Sequence, residues 1–332
     1  MREALFVKQN SEKWKAYEEL QTTNPDDLSN RFIEITNDLS YAKTFYPKSN
    51  TTAYLNGLAS TLHQSIYKNK KEDSNRFINF WKFELPELFH TYRKQLLYAL
   101  LFFLISAAIG VLSAKYDASF LRLVLGDSYI NMTNDNIAKG NPFGVYKQHG
   151  EMEMFVMIAS NNIYVAMTTF VSGLFFSVGP IIFMLKNGIM LGSFEYYFFS
   201  RGLGLQSILV IWIHGTLEIS AIIIAGAAGL VLGHGLLFPK TYTRLQAFKN
   251  SAKDGTKMAM GIVPVLLVAA LLESSVTRHT QMPLWLSLSI LSGSLLFMIW
   301  YVILYPIKLS KRNQKLINNA QQNRIQENQR FR

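Results

Sequence analysis

His214 and Glu218 lie four residues apart in LQSILVIWIHGTLEISAIIIAGAAGLVLGHGLLF (205–238), a run with no Lys, Arg or Asp and a single acid. On a helix, residues four apart share a face, so imidazole and carboxylate would stand together. A carboxylate in hydrocarbon is expensive, so its presence needs a reason. Glu273, Asn162, Lys186 and Asn187 are the other polar side chains in long apolar surroundings. Together with His214 and Glu218 they form the candidate intramembrane polar site. Two chemistries suit such a set. The groups can hydrogen-bond to one another, or to Asn161 or Ser220, and lock helices together. Alternatively they can line a wet cavity in which a carboxylate carries a proton or binds a cation.

Other chemistries find no support in the sequence. The pattern HGxxE carries one His where a zinc-protease helix needs two His four apart. His234 is 20 residues from His214, about 30 Å along one helix, and cannot join it. No GxSxG nucleophile setting occurs, and the chain has no cysteine. The expectation is a protein that is not an enzyme, with no metal and no cofactor.

The elements that must position these groups are membrane helices. The chain has 332 residues, 49% hydrophobic and 17% charged, and its long uncharged runs begin only after Lys94. About 20 apolar residues cross the hydrocarbon. The expected fold is therefore an all-α polytopic membrane protein with about six spans, near 95–113, 154–178, 180–200, 206–238, 258–276 and 283–307. Gly179-Pro180 and the polar Lys186-Asn187 predict a broken or re-entrant segment around 179–204. Ala221, Ala225, Gly229 and Gly233 continue the face of His214 and Glu218 as a ladder of small residues, the last step a GxxxG. Such a ladder suits close helix packing, within one subunit or in a homodimer.

Charge decides orientation. The formal charge of +11 sits beside apolar runs rather than on a nucleic-acid-binding face, so nucleic acid is not an expected partner. Arg93-Lys94, a loop over 240–257 and a tail over 308–332 are basic, whereas the 115–153 loop is net acidic. Six crossings with both termini cytoplasmic satisfy the positive-inside rule. The first twenty residues lack an apolar core, so no cleavable signal is expected.

Residues 1–73 predict a cytoplasmic helical domain. Trp14 and Tyr17 share one side of a first helix, and Asn24-Pro25-Asp26-Asp27 is a helix start. Leu28, Phe32, Ile35, Leu39 and Ala42, then Leu55, Leu58, Leu62 and Ile66, form apolar stripes at helical spacing. Over 74–93, Phe80, Trp81 and Lys82, followed by Arg93 and Lys94, predict an interfacial elbow helix against lipid headgroups. The expected partners are membrane lipids and other membrane or envelope proteins, with a homodimer open through the ladder.

HGTLEISAIIIAGAAGLVLG (214–233) resembles the signature helix of the stage II sporulation protein M family. YLNGLASTLHQSIY (54–67), FELPELFHTYRKQLLYALLFF (83–103), LKNGIMLGSF (185–194) and LLVAALLESSVT (266–277) are similar to further blocks in the same order. The resemblance implies a multi-pass protein of the bacterial cytoplasmic membrane without established catalytic activity. Its namesake is a scaffold that holds peptidoglycan-degrading partners at the septum. The resemblance therefore implies a non-enzymatic scaffold for envelope assembly or remodelling, while the residues alone leave a transporter, channel or lipid-handling protein open. His214, Glu218, Asn187, Gly188 and Glu273 match the family pattern and bring no assigned role with them.

Overall fold

The computed structural model describes residues 2–19, 25–68, 75–144, 150–277 and 282–315. The expected cap at Asn24 and the part of the basic tail beyond 315 lie outside them. The described residues form helices and no strand, in two compact units, Met1–Arg76 and Phe77–Arg332.

The first unit is three helices: α1 (Glu3–Glu19), α2 (Pro25–Phe45) and α3 (Asn50–Lys68). Its core is built from the two stripes, with Ile35, Ala42 and Leu55 fully buried, and from Phe6 and Trp14 of α1. Polar contacts fix the register. The Trp14 indole donates to Asp38 at 2.8 Å, and Lys13 pairs with the same carboxylate at 2.7 Å. Tyr54 of α3 donates to Glu18 of α1 at 2.8 Å. Burial, and the loss of that donation on ionisation, push the Tyr54 phenol up to about 12. A raised folded pKa favours the neutral phenol. The stabilisation is therefore complete below the free value near 10 and is lost as pH rises towards 12. The helicity of this unit is expected to weaken in circular dichroism over that window. Tyr54→Phe should remove part of the pH dependence. An unchanged alkaline transition in the variant would show that other groups set it.

The second unit begins with a widened π-turn, Phe80–Glu84, and α4 (Leu85–Thr91). It continues through α5 (Arg93–Tyr116), short α6 (Ala118–Leu125) and α7 (Asp127–Ala138), α8 (Glu151–Leu174) and α9 (Val178–Phe199). It ends with α10 (Gly204–Leu237), α11 (Arg244–Val276) and α12 (Leu284–Lys315). Helices α5, α8, α10, α11 and α12 are long and apolar enough to cross a membrane. Helix α9, with Lys186, Asn187 and Glu195, is long but more polar.

Several expectations change. Gly179-Pro180 does not break its helix: Pro180 sits in the first turn of α9, where no intrahelical N–H is needed, and α9 runs unbroken to Phe199. The break falls earlier, at a corner where Phe176 and Ser177 take positive φ (52° and 68°). The basic 240–257 stretch is helix rather than loop. Thr243 caps it by accepting from the Gln246 N–H at 3.3 Å, and Lys249 and Lys253 lie on its exposed side. The acidic 115–153 stretch holds α6 and α7, the first capped by Asp117, which accepts from the Ser119 N–H at 2.8 Å.

Small residues govern the packing. A Cβ on Gly110, Gly188 or Gly192 would overlap the facing backbone, so α5 and α9 run in direct backbone contact. That contact shields the polar helix. Of the ladder on α10, Ala221 and Ala225 are fully buried, and Gly229 and Gly233 face the 172–180 corner. A Cβ on Gly229 would stand 2.5 Å from Pro180 and 2.9 Å from the Thr169 carbonyl. The Ser177 hydroxyl in turn donates to the Leu230 carbonyl at 3.3 Å. The ladder thus seats the α8–α9 corner, and no free face of it remains for a second subunit.

The elbow is docked on its own unit. Leu85 and Phe89 enter the core, and the Tyr301 and Tyr305 hydroxyls donate to the Trp81 and Lys82 carbonyls at 2.7 and 2.9 Å. Lys257 pairs with Glu84 at 2.6 Å, while Phe77 and Ile78 stay exposed.

Candidate functional site

The site forms where α8, α10 and α11 meet. Helix α10 supplies His214 and Glu218, one turn apart as their spacing requires. Helix α11 ends in a π-turn, Leu272–Val276, closed by the Thr277 N–H donating to the Leu272 carbonyl at 2.9 Å. Such widened turns occur often at functional sites. Here the turn presents Glu273 and Thr277 to the same imidazole. Ligand atoms of His214, Glu218 and Glu273 all lie within 4.8 Å of one another.

The hydrogen bonds assign a job to each atom. His214 Nδ1 lies 3.0 Å from the Thr277 hydroxyl, which leaves Nε2 towards Glu273 at 3.9 Å. Glu218 accepts from the Asn162 amide of α8 at 2.5 Å, and its carboxylate lies within 4.8 Å of that of Glu273. The cluster therefore combines two neighbouring carboxyl groups, a neutral amide donor and an imidazole whose tautomer follows its Thr277 contact. His214 is buried, and Glu273 is 16% exposed.

Two clefts approach this cluster. One, of about 120 Å³, lies between α5, α9 and α10 and is lined by Asn187, His214 and Glu218 among apolar residues. The other, of about 340 Å³, is more polar and is lined by Asn141, Gln206, Thr277 and Ser287. Thr277 thus borders the second cleft while contacting the His214 ring, which borders the first.

Of the residues expected at the site, His214, Glu218, Glu273 and Asn162 come together. Asn187 reaches the smaller cleft, where its amide donates to the Phe183 carbonyl at 2.8 Å. Lys186 is exposed and lines neither cleft. Glu273 joins His214 and Glu218 as a third potential ligand group, in a mixed nitrogen and oxygen donor set. Thr277 was missed, although its place four residues after Glu273 is a helical-face signal. Glu195 belongs to a separate arrangement, accepting from the Trp212 indole at 2.7 Å.

Comparison with known proteins places this helical unit. The family described as "Stage II sporulation protein M" matches residues 99–278, more than half of the chain and inclusive of every member of the cluster. A second family, described only as a domain of unknown function, matches residues 4–68, the three-helix unit. No curated protein and no solved structure matches the chain.

Proposed function

The chain belongs to the stage II sporulation protein M family, and on that premise we propose that it is a membrane protein that binds and passes a proton or small cation at its His214–Glu218–Glu273 cluster. One observation carries the reading: the cluster stands between two clefts, with Thr277 facing one and Glu218 the other. A purely structural lock needs no such access. Intramembrane acids are costly, and they commonly mark ion paths. In this reading a proton moves between Glu218 and Glu273, His214 relays it towards Thr277, and Asn162 holds Glu218 in place. No bond-making chemistry is assigned to the protein. Its proposed setting is the bacterial cytoplasmic membrane, multi-pass, with cytoplasmic termini as the basic flanks favour.

The second reading is a scaffold for envelope assembly, in which the N-terminal unit recruits partners. The separate core of that unit favours it. Flux measurement separates the two. Proteoliposomes of the wild-type protein should dissipate an imposed proton or monovalent-cation gradient. Glu218→Gln should slow this at least tenfold, and Lys186→Gln, at an exposed position that lines neither cleft, should not. Sealed wild-type liposomes would sink the transport reading and leave the scaffold.

A further inference from the structure

Away from the cluster, a groove of about 400 Å³ runs between α4, α5, α10 and α12. On α5 it is lined by Arg93, Leu96, Leu97 and Leu100, at steps of 3, 1 and 3 along one helix face. On α12 it is lined from Leu295 to Ile307, which spans about 18 Å at 1.5 Å per residue. Ile223 and Ile224 of α10 form its floor, with Ser220 the sole polar residue there. Only at the end near α4 does the lining become cationic, through Arg93 with His90 beside it, and among the described residues no acid lines the groove.

Arg93 at this end is set for an anion. Arg93 Nη1 and His90 Nε2 are 3.3 Å apart. Arginine has no acceptor, so Arg93 donates and Nε2 accepts, which holds the guanidinium in place. His90 Nδ1 is buried and closed to the groove, so anion binding here rests on the remaining Arg93 N–H groups. Arg93 supplies a fork suited to phosphate oxygens. The same end sits beside Lys94 and Lys308 in sequence and beside the aromatic elbow, the composition of a headgroup level.

We propose that this groove is a specific site for one anionic phospholipid, with an acyl chain along α12 and the phosphate on Arg93, which His90 Nε2 orients. The length, the apolar floor and the single cationic end together select a lipid over a soluble anion, and the absence of an acid selects a negative headgroup over a zwitterionic one. The lipid would bridge α5 and α12, tying the first and last long helices together at their headgroup end.

The test uses the full chain in a neutral detergent with added phosphatidylglycerol, phosphatidylcholine or inorganic phosphate. Native mass spectrometry should retain one phosphatidylglycerol per protein, and thermal unfolding should shift upward with that lipid alone. Arg93→Gln, at an exposed position, should weaken the midpoint of stabilisation about tenfold, the equivalent of about 1.4 kcal/mol. Leu100→Trp, which fills the groove without touching the cationic end, should abolish retention while leaving helicity unchanged. Equal stabilisation by phosphatidylcholine would overturn the charge selection. Full stabilisation by inorganic phosphate would reduce the site to an anion site. Undiminished retention in both variants would place the lipid elsewhere.

Discussion

Gly229→Leu is expected to destabilise the membrane unit by about 3 kcal/mol, at the upper end of overpacking costs. The added side chain would have to enter a contact in which a Cβ alone lies 2.5 Å from Pro180 and 2.9 Å from the Thr169 carbonyl. Gly173 of the same corner is as tightly apposed, since a Cβ there would overlap the Gly229 carbonyl oxygen. The corner behind it holds two non-glycine residues at positive φ, kept in place only by what surrounds them. The expected readout is a lower unfolding midpoint in detergent. Gly293→Ala is the matched control, because nothing lies within 4 Å of the Cβ it would add. There the helix preference of alanine should maintain or raise stability by up to about 1 kcal/mol. Equal behaviour of the two variants would mean that the corner does not depend on α10. A variant at Gly229 that unfolds the chain also changes any transport rate, so it bears on architecture and not on the proposed path.

Glu218→Leu is the second large effect. It removes the acceptor of the Asn162 amide and the polar group beside Glu273 in one step. Stranding buried polar groups costs about 1–3 kcal/mol, so a loss of about 2 kcal/mol is expected. Glu218→Gln keeps a carbonyl for Asn162 and a donor for Glu273, so its loss should stay below about 1 kcal/mol. In contrast to this small change in stability, the flux proposed above should fall at least tenfold in the same variant. That split separates a working carboxylate from a packing device, since a packing device would show small effects in both. Pairing Asn162→Ala with Glu218→Leu gives a further check. The double variant should cost less than the sum of the singles, because the amide that was stranded is gone. Strict additivity would indicate that the Asn162–Glu218 hydrogen bond contributes little.

Much of this protein was legible without coordinates. Hydrocarbon thickness and helix rise together fix how many apolar residues a crossing needs, so α5, α10 and α12 stood out from composition alone. The stripe Leu28 to Ala42 predicted the face of α2 that is buried, because a 3.6-residue period projects those side chains to one side. His214 beside Glu218 followed from the same period.

Tertiary structure decided the rest, through contacts between residues far apart in the chain. Glu273 is separated from Glu218 by the rest of α10, a short turn over 238–243 and the basic first half of α11, and no local periodicity says that a π-turn on α11 will point it at α10. The small-residue ladder advertised a close approach and left the approaching backbone open; that is settled by the positive-φ corner at 176–177, which closes only against α10. Gly179-Pro180 read as a break because proline ends helices, yet in the first turn it begins one, and which applies depends on where the preceding helix stops. The lipid groove had no sequence signature at all. Its walls come from three long helices, and what each contributes becomes a groove only when they are assembled. Sequence set the period, length and polarity of each helix, all local quantities; pairing, corner and cleft arise from packing between helices, which local rules do not encode.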